Sequence, residues 1–148
     1  MSLSPHNRNA TAHIRSIVER WMKLWQGGDI SAIDTLHAPD FIDHSSAGRT
    51  SDNEGFKRGL AELYQAFPDF FATTEDLIID ADNGKATIRW SAVGTHQGEF
   101  VGVPPTGRRI SFSGIEIIRV KDGRIVERWG EWDGIHIMEQ MGMQFSRD

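Results

Sequence analysis

ISFSGIEIIRVKDGRIVERWGEWDGIHIMEQMG, residues 110–142, is the stretch on which the fold turns. Two runs, 110–120 and 124–133, flank Asp122-Gly123. Asp-Gly suits a two-residue hairpin turn because both positions tolerate positive φ. The spacing therefore predicts two antiparallel strands. Ile135, Ile137, Met138 and Met141 then predict a closing helix, with Gly142 as its stop. Between strand and helix lies Trp129-Gly130-Glu131-Trp132-Asp133, which crowds two tryptophans and two carboxylates into five residues.

Alternation along the second run places Ile125, Glu127, Trp129, Glu131 and Asp133 on one face. Val126, Arg128, Gly130 and Trp132 fall on the other. Neither face is cleanly apolar. Gly130 in mid-strand predicts a bulge that flips the register before Asp133. Which of Trp129 and Trp132 lines the pocket with Asp133 therefore stays open.

Working upstream, residues 71–80 and 85–96 read as two more strands, joined at Asp82-Asn83-Gly84. Ile88, Trp90 and Ala92 share one side of the second, with His96 in phase at its end. The first half has a helical period instead. Ile14, Val18, Trp21, Met22 and Trp25 give an apolar face over residues 11–26, stopped by Gly27-Gly28. Asp29 caps a short helix to about Leu36, and Pro39 precedes an extended segment at 41–44. Ser51 with Glu54 forms a capping box for a helix bearing Phe56, Leu60, Leu63, Tyr64 and Phe67, ended by Pro68. Helices first and an antiparallel meander second define an α+β fold, helices on one face of a curved sheet. Residues 10–143 are read as one domain, residues 1–9 as a loose N-terminus and 144–148 as a tail.

A net charge of −5 with scattered basic residues argues against nucleic-acid or anionic-membrane binding. No apolar run reaches the ~20 residues of a membrane helix. With no cysteine there is no disulfide, thiolate zinc site or cysteine nucleophile. A cytoplasmic protein is the expectation. His37, His44, His96 and His136 lack metal-ligand spacing, and the glycine-rich loop 94–107 has neither a P-loop lysine nor a helix behind it. Neither a metal nor a cofactor is expected.

Asp133 is the leading candidate for chemistry. A carboxylate beside two tryptophans loses hydration, which raises its pKa towards useful proton transfer. The competing role is capping of the helix that starts at Gly134. His96 either enters the pocket as a hydrogen-bond donor or sits at the rim, bonded to the loop. His44 is either a second helper or a polar turn residue. Glu116 interrupts an apolar run and is expected on the solvent or partner face rather than in the pocket. Glu131 is expected to face solvent. Arg108 and Arg109 either hold a substrate carboxylate at the mouth or, as the favoured reading, are solvated loop residues.

The motifs Gly94-Thr95-His96-Gln97-Gly98, Pro104-Pro105-Thr106-Gly107-Arg108, Asp122-Gly123-Arg124-Ile125, Trp129 with Asp133, and Gln140-Met141-Gly142 resemble the SnoaL-like polyketide cyclases, or ester cyclases, of the NTF2-like superfamily. The resemblance covers most of the chain. It implies a cone-shaped α+β fold, its curved antiparallel sheet wrapped around an apolar pocket, and a homodimer through the sheet. It implies cofactor-independent, aldol-type ring closure on a small apolar carbonyl compound, with an aspartate as general acid/base at the position of Asp133. His96 and His44 would assist as further catalytic residues. Trp129, Trp132, Trp25, Trp21, Phe56, Tyr64, Trp90 and Phe100 are the expected pocket residues. The same fold hosts isomerases, lyases, epoxide hydrolases and non-catalytic binding or dimerisation modules, so these readings stand beside the first. Epoxide hydrolysis would require an Asp-Arg-Asp arrangement.

Overall fold

Helix α1, Pro5–Met22, starts six residues earlier than its apolar spacing predicts. Ser4 caps it by accepting from the Asn7 N–H at 3.1 Å, and Pro5 occupies the first turn, where a missing N–H costs nothing. The added turn is polar and carries no period, so only the cap signals it. The expected loose segment is thus helical from Pro5 onward. The computed structural model describes residues 4–145, so residues 1–3 and the end of the expected tail lie outside them.

Ile14, Ile17, Val18, Trp21 and Met22 form the buried face of α1, which tightens into a 3₁₀ turn at Lys23–Trp25. A second 3₁₀ turn, Ile30–Ala32, is capped by Asp29 and leads into α2, Ile33–Leu36. Strand β1, His37–Asp43, is longer than expected. Pro39 does not exclude it because β1 is an edge strand, with a register irregularity between His37 and Ile42. Helix α3, Asn53–Ala66, is capped by Asp52 rather than Ser51: Asp52 accepts from the Gly55 N–H at 3.0 Å.

The meander follows as β2 Phe71–Asp80, β3 Lys85–Thr95, β4 Arg109–Lys121 and β5 Arg124–Trp132, closed by α4, Gly134–Gln140. The sheet order is β1-β5-β4-β3-β2. Only β1 runs parallel to its neighbour. Asp122 and Gly123, with φ of 52° and 77°, form the predicted β4–β5 turn.

The bulge expected at Gly130 is absent there. From Gly114–Trp132 to Arg119–Glu127 the β4–β5 ladder is regular. The irregularity lies at Val126, which is left without a partner between Glu127 and Ile125. One extra residue flips the side-chain phase. Ile125 therefore faces inward, and so do Arg128, Gly130 and Trp132. The helices cover that inner face, where Ile88, Trp90, Ala92, Ile110, Phe112, Ile118 and Ile125 join the apolar faces of α1 and α3 in one core.

Candidate active site

A cavity of about 670 Å³ opens between the inner sheet face and the helices. Trp21, Met22 and Trp25 from the α1 end, Phe56, Leu60 and Leu63 from α3, and Trp90, Phe100 and Trp132 from the sheet side give it apolar walls. Trp21 and Trp25 meet edge to face at 4.4 Å, and Phe56 packs against both.

Of the charged residues along this lining, three meet in one hydrogen-bonded cluster: Asp43, Glu116 and Arg128. Arg128 Nε and Nη2 donate to the two oxygens of Glu116 at 2.9 and 3.0 Å. Its Nη1 donates to both oxygens of Asp43, at 3.1 and 3.2 Å, and to the Ser45 carbonyl at 3.3 Å. Ser45 in turn donates its N–H to Asp43 and accepts the Gly130 N–H on Oγ. Asp43 and Glu116 are only 4% and 6% exposed. Two carboxylates on one guanidinium leave one negative charge uncompensated among apolar walls. Burial pushes the Glu116 carboxyl up, Arg128 opposes, and the carboxylates of Asp43 and Glu131 add to the rise. Burial works against the Arg128 charge, but Glu116 and Asp43 outweigh it and hold the guanidinium charged.

The placement of Glu116 corrects the expectation that it faces solvent or a partner. Gly130 explains why it fits. A Cβ at position 130 would stand 2.1 Å from Glu116 Oε2, so the carboxylate fills the space a side chain there would take. Gly114 does the same for Trp90, whose ring atoms would lie 2.5 Å from a Cβ on it. The Trp90 indole N–H is buried and has no hydrogen-bond partner among the described residues.

Asp133 lies elsewhere. Its side chain is exposed, is absent from the cavity lining, and accepts from the His136 N–H at 3.1 Å as the cap of α4. The capping reading describes its position, because β5 ends at Trp132 and the chain turns into α4 there. His96 is fully buried beneath the loop, stacked on Phe67 at 5.3 Å, with Nδ1 facing the Thr106 hydroxyl at 3.0 Å and the Thr106 N–H at 3.3 Å. It does not line the cavity. His44 sits on the outer sheet face, stacked on Trp129 at 4.7 Å and bonded through Nε2 to Glu127 at 2.7 Å. Trp129 is therefore outside and Trp132 inside, which settles the alternative left open by the sequence. Tyr64 is the other expected lining residue that leaves the cavity: its hydroxyl donates to the Leu24 carbonyl and accepts the Gly27 N–H, bracing the end of α1. Trp132, Trp25, Trp21, Phe56, Trp90 and Phe100 do line it, and Glu131, though exposed, stands at its edge. Arg108 donates to the Gln140 carbonyl and closes the C-terminus of α4.

Behind the cavity, His37 forms a satisfied buried network. The Trp21 indole can only donate, so His37 Nε2 accepts it, at 2.9 Å. Nδ1 then carries the proton and donates to Asn53 Oδ1 at 3.0 Å, while Asn53 donates to the Ala38 carbonyl. Burial lowers the His37 pKa to about 4, so the ring is neutral near pH 7. Among the described residues no three His, Asp or Glu side chains are gathered to hold a metal ion. No helix there is long and apolar enough to cross a membrane.

A curved five-stranded sheet with helices over one face, enclosing an aromatic cavity with a buried charged cluster, defines an NTF2-like α+β protein. The chain belongs to the SnoaL-like polyketide cyclase family, whose model matches residues 15–141. It is 31% identical over 85 residues to aklanonic acid methyl ester cyclase of Streptomyces peucetius, covering 56% of this chain and 58% of that relative. This match thus spans a little over half of the relative's length. The solved structure of the proposed polyketide cyclase IdmH of Streptomyces antibioticus is similar with a TM-score of 0.76 and 32% identity, over 88% of this chain and 99% of IdmH. AclR of Streptomyces galilaeus, a proposed hydroxylase, is similar with a TM-score of 0.79 and 26% identity, over 89% and 97% of the two chains.

Proposed function

We propose that this family member is an enzyme that closes a ring in an apolar carbonyl compound, using Glu116 as proton carrier and Arg128 as fixed positive charge. The observation that carries this reading is the buried Asp43–Arg128–Glu116 cluster in the wall of an aromatic cavity. A carboxylate whose pKa is raised by burial moves towards the range useful for proton transfer. Glu116 takes a proton from the carbon α to a carbonyl. The enolate oxygen gains its charge close to the Arg128 guanidinium, which is preorganised by its two carboxylates. The enolate carbon adds to a second carbonyl of the same molecule, and the new alkoxide recovers the proton from Glu116. The atoms balance without another reactant, consistent with a reaction needing neither cofactor nor metal.

Aklanonic acid methyl ester, named by the relative from Streptomyces peucetius, is the first compound to test. In D₂O the wild type should exchange the α-hydrogen and form the cyclised product. Glu116→Gln should do neither beyond background. Exchange at the wild-type rate in that variant would remove Glu116 from the reaction.

Epoxide hydrolysis is the second reading, and one observation favours it. Asp43, Arg128 and Glu116 form a carboxylate–guanidinium–carboxylate line like the Asp-Arg-Asp arrangement that chemistry requires, with glutamate in one place. One carboxylate would deprotonate water and protonated Glu116 would give its proton to the opening epoxide oxygen. Label from H₂¹⁸O entering a diol would identify it.

Carriage without chemistry is the reading in which backbone N–H groups hold Asp133, and the His136 N–H does so. Against it stands the buried cluster, which costs desolvation that a carrier does not need.

A homodimer through the sheet is supported by the outer face, where Ile42, Phe71, Ile78, Ile115 and Ile117 are exposed. Sedimentation of Ile117→Glu, expected to be monomeric, tests it. The lack of cysteine supports a reducing, cytoplasmic setting.

A further inference from the structure

Among the described residues, three other than glycine adopt positive φ: Ala47 at 52°, Val101 at 45° and Asp122 at 52°. Each precedes a glycine that also has positive φ, Gly48, Gly102 or Gly123. A turn with two left-handed residues favours Asn, Asp or Gly at its first position. Asp122 obeys that rule in the β4–β5 turn. Ala47 and Val101 break it, and both line the cavity, from separate loops.

Val101 is the more severe departure. Its branched Cβ crowds the backbone in the left-handed region more than an unbranched side chain would. The turn that holds it is tight: the Phe100 N–H donates to the Val103 carbonyl at 3.0 Å, and the Val103 N–H donates back at 2.8 Å. Phe100 anchors that turn to the cavity wall by edge contacts with Phe67 at 5.1 Å and Trp132 at 5.8 Å. The Val101 side chain is itself 58% exposed, so burial within the protein does not offset its strain. Turn chemistry and core packing both argue for another residue here. A left-handed valine with neither reason to exist, at the edge of a cavity, points to contact with what the cavity holds.

We propose that Val101 is a ligand-contact residue at the cavity lip, its isopropyl group covering the apolar part of a bound ligand, with Ala47 as a second, smaller lip residue. The strain is tolerated because the side chain is needed when the cavity is filled. This rests on the cavity being a ligand site and not on the reaction that takes place in it.

Val101→Asn and Val101→Gly both suit the turn. N-phenyl-1-naphthylamine, a neutral apolar probe, is titrated into each variant and the wild type. The indole ¹⁵N–¹H signals of Trp90 and Trp132 report on the cavity, and that of Trp129 on the outer face. The wild type should bind with shifts at Trp90 and Trp132. Both variants should unfold at the same or higher urea concentration than the wild type, yet bind the probe about fivefold more weakly, the loss expected for one apolar branch. Ala47→Gly should weaken binding less. Unchanged affinity in a variant of equal or higher stability would overturn the inference, as would lowered stability in both variants or no wild-type binding in the cavity. If Glu116→Gln keeps wild-type turnover while the lip variants lose affinity, the proposed chemistry fails and this inference stands. The reverse pattern isolates failure here.

Discussion

Gly130 lies directly across the β4–β5 ladder from Glu116, and a methyl group added to it would come within 2.1 Å of the Glu116 carboxylate. Gly130→Ala should therefore push Glu116 off Arg128. Displacing one member of a buried ion pair leaves charge uncompensated, so a loss of about 3 kcal/mol is expected in urea denaturation. A loss below about 1 kcal/mol would mean that the cluster gives way without consequence.

Arg128 holds both carboxylates, so Arg128→Met strands Asp43 and Glu116 in the cavity wall. The sign of the pH dependence follows. Without the guanidinium, the folded-state pKa of Glu116 rises further above its unfolded value. Stability is then lost as pH rises through that window. The penalty of Arg128→Met, of order 3–5 kcal/mol near neutral pH, should shrink towards pH 5. Denaturation at pH 5 and pH 8 checks it, and a penalty independent of pH would contradict it.

His37 titrates in the opposite sense. Its folded pKa, lowered to about 4 by burial, lies below the ordinary value of 6.5. The unfolded chain binds the proton first, so the contribution is present in full above pH 6.5 and lost as pH falls towards 4. The stability advantage of wild type over His37→Gln should drop by up to about 3 kcal/mol across that window. An advantage that is flat between pH 7 and pH 4.5 would mean that the ring does not titrate as a buried group.

Asp133 caps α4 through the His136 N–H. Asp133→Ala should lower stability by about 1 kcal/mol, while Asp133→Asn, still an acceptor, should lower it by much less. Equal losses in the two variants would argue for a role of the charge itself.

The strands of the meander, their turns, the helix faces and the family were legible in residue spacing and motifs. The charged cluster was not, and Val126 is the reason. A plain hairpin built on Asp122-Gly123 pairs Glu116 with Trp129 and puts Arg128 on the opposite face. The unpartnered residue at Val126 shifts the ladder by one, pairs Glu116 with Gly130, and brings Arg128 to its side. Nothing in the side chain of valine marks a bulge, whereas Gly130 is the obvious place for one by composition alone. Asp43 was hidden for another reason: Pro39 discouraged a full strand at 37–43, yet β1 delivers Asp43 opposite Arg128 across a parallel edge. Asp133 drew attention because sequence proximity to two tryptophans looks like burial, but a strand end turning into a helix exposes it.

If Glu116 in the cavity carries the proton, as proposed, Asp133 at the helix cap does not. The direct measurement is ring closure of aklanonic acid methyl ester by Glu116→Gln and Asp133→Asn side by side, each first shown to be folded. A drop of ~10²–10⁴-fold in kcat is expected for Glu116→Gln, the usual worth of a positioned acid/base, with near wild-type turnover for Asp133→Asn. Loss of turnover in Asp133→Asn with activity retained in Glu116→Gln would contradict it.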